Sequence, residues 1–204
     1  MSTPPPIIRH AYLSDVPTIL KFIHDLAAFE KEPASTVEAT EKSLADTIAF
    51  DVEPGSEEGN RSGATEQKTE NNTSTENTTA ISPTRPARCL ILLAPSSSSQ
   101  SPSSLIPVGI ALYFYNYSTW RAKPGIYLED LYVSPDHRGK GYGTALLRTL
   151  AKEVVDMGGG RLDWSVLRWN EKAIRVYEGV GAGKMDEWVG MRVEGEGLVK
   201  LAGL

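Results

Sequence analysis

The sequence predicts an α/β fold with a mixed central sheet, on three observations. Ile126 to Val133 reads as a strand, and a turn and a helix-patterned segment, Gly141 to Val155, follow it before a second strand, Leu162 to Val166. Strand, helix and strand in that order imply parallel pairing across a crossover. Earlier apolar runs, Arg88–Ala94 and Val108–Asn116, read as a β-hairpin with an enlarged tip, which supplies the antiparallel part. The 204 residues, 40% of them apolar, suit a single domain spanning 1–204 around one core.

Taken in order, Ile7-Ile8 opens a first strand. Ser14 is placed to cap a helix whose apolar positions Val16, Ile19, Leu20, Ile23 and Leu26 follow helical spacing. Pro17 falls in the first turn, where its missing N–H costs little. Thr36 to Phe50 reads as a second, weaker helix with Val37, Leu44 and Ile48 on one side. The composition then changes abruptly: residues 51–86 contain no aromatic side chain and are dense in Glu, Asn, Ser, Thr and Gly. Such a segment buries too little apolar surface to offset its ordering entropy, so a disordered, low-complexity insertion is expected there. A second polar loop, residues 95–106, enlarges the hairpin tip. Ala145, Leu146, Leu150 and Val154 mark the inner face of the crossover helix, which Gly158-Gly159-Gly160 ends. Asn170 is placed to cap a short helix reaching Tyr177 or Glu178. Trp188 to Val193 reads as a late strand, and Leu198 to Leu201 as a further extension.

Composition excludes several functions. A net charge of -5 advertises no nucleic-acid surface. Cys89 is the single cysteine, which rules out an internal disulfide and any multi-cysteine metal site. His10, His24 and His137 lack ligand spacing, so no metal is expected. No stretch approaches the ~20 apolar residues of a membrane helix. Met1 to Pro6 lacks a secretory profile, so a cytoplasmic protein is expected.

The strongest chemical signal is Arg138-Gly139-Lys140-Gly141-Tyr142-Gly143, between a strand and an amphipathic helix. Alternating glycines let backbone approach an anion closely, and their amides join the positive end of the next helix to make a pyrophosphate cradle. A P-loop would need Gly-x-x-x-x-Gly-Lys-Ser/Thr, which is absent, and a dinucleotide fingerprint would need glycine where Thr144 stands.

This string resembles the Arg/Gln-x-x-Gly-x-Gly/Ala motif of the GNAT superfamily of acyl-CoA-dependent N-acetyltransferases. Leu26-Ala27 with Phe29-Glu30, Tyr127-Leu128-Glu129-Asp130, Trp169-Asn170-Glu171, and Tyr177 with Gly181-Ala182 also match, in order. Within the superfamily the chain is most similar to the diamine (spermidine/spermine) N-acetyltransferases. It departs from them at Phe29, where they tend to have tyrosine, and at Glu178-Gly179-Val180, where they typically have basic residues. The resemblance implies a GNAT fold, a sheet with a splayed strand pair flanked by helices, and acetyl-CoA as co-substrate. The pantetheine arm would enter the gap and pair with Leu131, Tyr132 and Val133, while Arg138, Gly139, Lys140, Gly141, Tyr142, Gly143 and Thr144 hold the pyrophosphate. The Val133 amide would stabilise the oxyanion, and Tyr177 would protonate the departing thiolate. Asn170 either contacts the CoA arm or only caps its helix. The resemblance also implies a homodimer.

Amine attack needs an unprotonated nitrogen, so a carboxylate beside the acetyl site can serve by binding the ammonium and accepting its proton. Glu129 is the candidate, because it follows two apolar residues on the strand leading there. Asp130 is expected to point to the opposite face in a structural role. Glu30 and Trp120 either line the amine pocket, with Phe29 beside them, or are solvated loop residues. The expected function is acetyl transfer to a primary amine of a small molecule such as a polyamine, diamine or lysine-like amino acid. The alternatives are acetylation of protein lysines or N-termini, and a non-catalytic CoA sensor.

Overall fold

In the computed structural model, which describes residues 5–54, 80–96 and 104–204, alternation organises the sheet. Along β3 (Ala87–Pro95), Cys89 and Ile91 face one side, Leu90 and Leu92 the other, and all four are buried. A strand buried on both faces needs cover on both. On one face, α1 (Val16–Phe29) and α2 (Glu41–Thr47) bring Val16, Ile19, Phe22 and Leu44 against Cys89, Ile91, Ile110 and Tyr132. On the other, α3 (Tyr142–Asp156) buries Leu146, Leu147, Leu150 and Val154. Glu153 of α3 accepts bonds from the Tyr113 hydroxyl at 3.0 and 2.8 Å and from the Tyr115 hydroxyl.

The sheet runs β1 (Ile7–His10), β3, β4 (Leu105–Ser118), β5 (Lys123–Val133), β6 (Leu162–Trp164). Its first three pairings are antiparallel, whereas β5–β6 is parallel, as the crossover requires. The two-residue β2 (Ile48–Ala49) pairs parallel with β3. This mixed sheet flanked by helices is the class the sequence predicts.

Several local expectations are corrected. Ser14 does not cap α1 but lies in a 3-10 turn, Leu13–Asp15. The neighbouring Asp15 carboxylate accepts the Tyr12 amide at 2.7 Å and pairs with Arg9 at 2.6 and 3.0 Å, which fixes the chain's entry. The second helix starts only at Glu41, because Thr40 and Ser43 exchange side-chain-to-amide bonds there, and Ile48 has left it to join β3. Residues 95–106 are not all loop: Pro95 still pairs with Leu105, and Ala94 with Ile106. Near the two ends of the expected insertion, Asp51 bridges to Tyr12 and Ser82 to Arg85. The stretch 55–79 of that insertion, and 97–103 of the hairpin tip, lie outside the described residues.

The chain divides into two compact units, 1–165 and 166–204. In the second, α4 (Glu171–Gly179) is capped by the Asn170 side chain, whose Oδ1 accepts the Ala173 amide at 3.2 Å. The expected late strand is absent among the described residues: Trp188 to Val193 has no ladder, and Leu198 to Leu201 lies in a helix, α5 (Glu196–Leu201). Strand-forming side chains make a strand only where a neighbour supplies the ladder, and none does so here.

Cys89 is 1% exposed, and burial pushes its thiol far above the ordinary range. No helix among the described residues is long and apolar enough to cross a membrane.

At the β4–β5 turn, Ala122 is held at φ 47°, a left-handed conformation that its Cβ disfavours. Ala122→Gly should relieve this and raise stability by about 0.5–1 kcal/mol, after glycine's greater unfolded-state entropy is deducted. Urea unfolding should show a higher midpoint at an unchanged slope.

Candidate active site

The site begins where β5 loses one of its two neighbours. β4 accompanies β5 along its whole length, whereas β6 pairs only with Ile126, Tyr127 and Leu128. The Ser134 amide donates to the Val108 carbonyl at 2.8 Å, which sets the phase of the β4–β5 ladder. Antiparallel pairs alternate between bonded and non-bonded, so Tyr132 bonds Ile110 while Leu131 and Val133 turn their amides and carbonyls away from β4. Those groups face the side that β6 has left, and no strand among the described residues pairs with them there. Arg138 Nε donates to the Val133 carbonyl at 2.8 Å.

A bulge lies at the point of departure. Leu112 pairs with Asp130 and Tyr113 with Leu128, so Glu129 is the extra residue of β5. The bulge reverses the alternation that follows it. Leu128 lies opposite Tyr113 on the α3 face, but Asp130 lies opposite Leu112 on the α1 face, where Leu112 joins the core cluster. Glu129 itself is exposed.

The bulge thereby assembles an acidic group. Burial first, then Glu129 and Glu30, push the Asp130 carboxyl up to about 6. Burial first, then Glu32, raises Glu30, which follows the last turn of α1. None of the ion pairs among the described residues engages Glu30, Glu129 or Asp130. Uncompensated carboxylates in one place favour a cation from outside. Asp130 is the residue that sequence reasoning leaves out of the site. Strict alternation hides it, and the bulge turns it to the α1 face.

Phe29 is partly exposed beneath the Arg138 guanidinium, 4.7 Å from its ring centre. Trp120, 89% exposed, sits in the β4–β5 turn. The six steps of strand from Lys123 to Glu129 span roughly 20 Å at ~3.3 Å each, so this strand does not bring Trp120 to the carboxylates.

Beyond β5, a 3-10 turn, Pro135–His137, leads into the glycine string. Gly139 and Gly141 have φ 79° and 80°, a conformation that accounts for glycine at both. Gly143 has no such reason. It lies in the first turn of α3 with ordinary backbone, and a Cβ there would meet nothing within 4 Å. A helix favours any non-proline residue over glycine, so the missing side chain serves open space in front of the helix. The first intrahelical bond runs from Ala145 to Gly141 at 2.9 Å, which leaves the Tyr142, Gly143 and Thr144 amides before it directed out of the helix end. These features fit a pyrophosphate, with the exposed Lys140 beside it. Among the described residues no group of His, Cys, Asp and Glu could hold a metal ion.

In the second unit Tyr177 is half-buried on α4, and its carbonyl accepts the Ala182 amide at 3.0 Å. Gly181, at φ 92°, closes that helix end. Asn170 performs its capping role.

A mixed α/β sheet in which one strand outruns its edge neighbour beside a glycine-lined helix N-terminus defines a class of acyl-group transferases. The family model described as "Acetyltransferase (GNAT) family" matches residues 69–182, and the chain belongs to that family; it is an N-acetyltransferase. The thialysine N-epsilon-acetyltransferase of Mus musculus is 38% identical over 118 residues, 56% of this chain and 68% of that protein. The L-ornithine N5-acetyltransferase of Arabidopsis thaliana is 34% identical over 206 residues, 94% of this chain and 85% of that one. Among solved structures, an integron cassette protein from the mobile metagenome of V. cholerae superposes with a TM-score of 0.63 at 20% identity. The match covers 99% of both chains and shows a shared fold. The resemblance inferred from the glycine string is borne out.

Gly143→Ala separates the needs of the fold from those of the ligand. It should raise stability by about 0.5 kcal/mol, as alanine is the better helix former. It should weaken CoA binding about tenfold, ~1.4 kcal/mol, by filling the space before the helix. Urea unfolding and titration calorimetry on the same preparation read both effects.

Proposed function

We propose that this chain transfers the acetyl group of acetyl-CoA to one amine of a small molecule that carries a second cationic centre, such as a diamine or a diamino acid. The observation that carries this reading is the acidic group at the β5 bulge, set beside the strand edge and the glycine cradle. Two of the relatives are named for acetylation of ornithine and thialysine, each of which bears two amino groups, and this supports the choice.

Acetyl-CoA supplies an activated acyl group whose thiolate can leave. The backbone groups of Leu131, Tyr132 and Val133 give its extended arm a strand edge to pair with. The Val133 amide is a donor for the acyl oxygen as charge develops on it. Glu129 and Asp130 hold the incoming ammonium and take up its proton, directly or through water, with Glu30 available to the remote cation and Phe29 as an apolar wall. The freed nitrogen forms the new bond to the acyl carbon while the carbon–sulfur bond breaks. Tyr177 gives its phenolic proton to the sulfur and regains one, through water, from the second proton that the nitrogen sheds as the amide forms, and Asn170 steadies the arm in addition to capping its helix. A homodimer and a cytoplasmic location complete the reading.

The purified protein should release CoA thiol with acetyl-CoA and ornithine, spermidine or putrescine faster than with a monoamine or a histone peptide. Equal rates with the monoamine would remove the second cationic centre from the proposal. Absence of turnover with every amine, together with retained CoA binding, would favour a sensor.

Tyr177→Phe keeps the ring and removes one hydroxyl. Turnover should fall by about 10²-fold while CoA affinity stays within a factor of about two, because the bond strengthens only as the thiolate forms. Single-turnover kinetics and calorimetry check the two halves.

The pH dependence follows from the raised Asp130 carboxyl. Below about 6 the group is protonated and neutral, so it neither attracts an ammonium nor accepts its proton. The specificity constant for amine should therefore rise as pH increases through about 6. In Asp130→Asn this limb should vanish, and the value above about pH 7 should drop by more than about tenfold.

A further inference from the structure

Arg138 opens the glycine string, where a cation is expected to reach for phosphate. Its side chain is already engaged elsewhere. Nε donates to the carbonyl of Val133 at 2.8 Å. That same peptide donates its Ser134 amide to Val108 on β4 at 2.8 Å, so the end of β5 is pinned from both sides. The guanidinium lies 4.7 Å from the Phe29 ring centre and 5.7 Å from that of Tyr132. Tyr132 in turn donates its hydroxyl to Asp25 of α1 at 3.3 Å and packs against Phe22 at 5.2 Å. Asp25, Ala28, Phe29, Tyr132, Pro135 and Arg138 line one open concavity of about 470 Å³.

We propose that Arg138 is a positioning residue: a strut that ties the last turn of α1, at the amine side, to the end of β5 and the start of the glycine cradle, instead of a phosphate ligand. The chemistry suits arginine alone. Its planar fork donates from a fixed Nε while its faces stack on aromatic rings, and an ammonium, a single point of charge without a face, cannot do both at once. Because one side chain touches the amine-side helix and the cofactor-side turn together, loosening it disturbs both sites at once. The proposal rests on the functional reading above for what those two sites bind.

Arg138→Gln, Arg138→Lys, Phe29→Leu and the double variant Arg138→Gln/Phe29→Leu test it with CoA and ornithine as probes. A strut predicts that Arg138→Gln and Phe29→Leu each weaken CoA binding about tenfold, and that the double variant is no worse than either single. Arg138→Lys should fail to restore affinity, KM for ornithine should rise in parallel, and the salt dependence of CoA binding should match wild type. A phosphate ligand predicts the reverse: additive losses, rescue by lysine and a shallower salt dependence, and that pattern overturns the proposal. Urea midpoints of the ligand-free proteins give a separate reading. Additive midpoint shifts for Arg138 and Phe29 sink the strut whether or not CoA binds. A wild type that binds no CoA, with non-additive midpoints, leaves the strut standing and removes the functional reading.

Discussion

The parting of β5 from β6 after Leu128 is the constraint on which the rest of the site depends. A buried strand normally commits all its amides and carbonyls to neighbours, and unpaired ones are costly. Here Leu131 and Val133 turn theirs toward a side with no strand among the described residues; Arg138 serves the Val133 carbonyl, and water or a ligand is left to serve the others. The sheet tolerates this edge because β5 remains fastened to β4 throughout and is packed between helices on both faces. A loop could offer the same groups but could not hold their spacing. The rigidity of one ladder is what makes the opposite edge a usable template.

The bulge at Glu129 has two effects from one inserted residue. It accompanies the end of the β6 pairing, and it changes the face on which Asp130 appears. Burial first, and then the carboxylates gathered there, raise the proton affinity of Asp130, which works against the ligand-free fold. A proton on Asp130 or a cation beside it relieves that cost. The glycine string follows the same logic: Gly143 weakens the first turn of α3 and leaves open space before it.

Much of this is legible in the residues because the information is local. The spacing of Val16, Ile19 and Ile23 marks a helix face, and Leu146, Leu150 and Val154 another, since periodicity needs no partner. The glycine string announces itself between strand and helix for the same reason. What stays hidden depends on distant partners. Ser14 is kept from the expected capping role by a 3-10 turn that the Asp15 carboxylate holds through Arg9 and the Tyr12 amide. Ile48 abandons its helical pattern because β3 offers a ladder. Two-residue alternation gives Asp130 a structural role, and it holds only until a bulge breaks it. Trp120 reads equally as a pocket wall or as a solvated loop residue, and only the length of β5, set by its pairing with β4, separates it from the carboxylates.

Cys89 lies within β3 with its sulfur directed at the Leu90 carbonyl, 3.5 Å away, and its proton held firmly by burial. It is also the single thiol of the chain. Reactivity toward oxidants, alkylating agents and disulfides belongs to the thiolate, and this thiol reaches that form only if the core opens. The folded protein is thus chemically silent toward thiol reagents. Any fast disulfide exchange in a reaction mixture reports the sulfur of a released product, and slow exchange by the enzyme itself becomes a clock for its global unfolding.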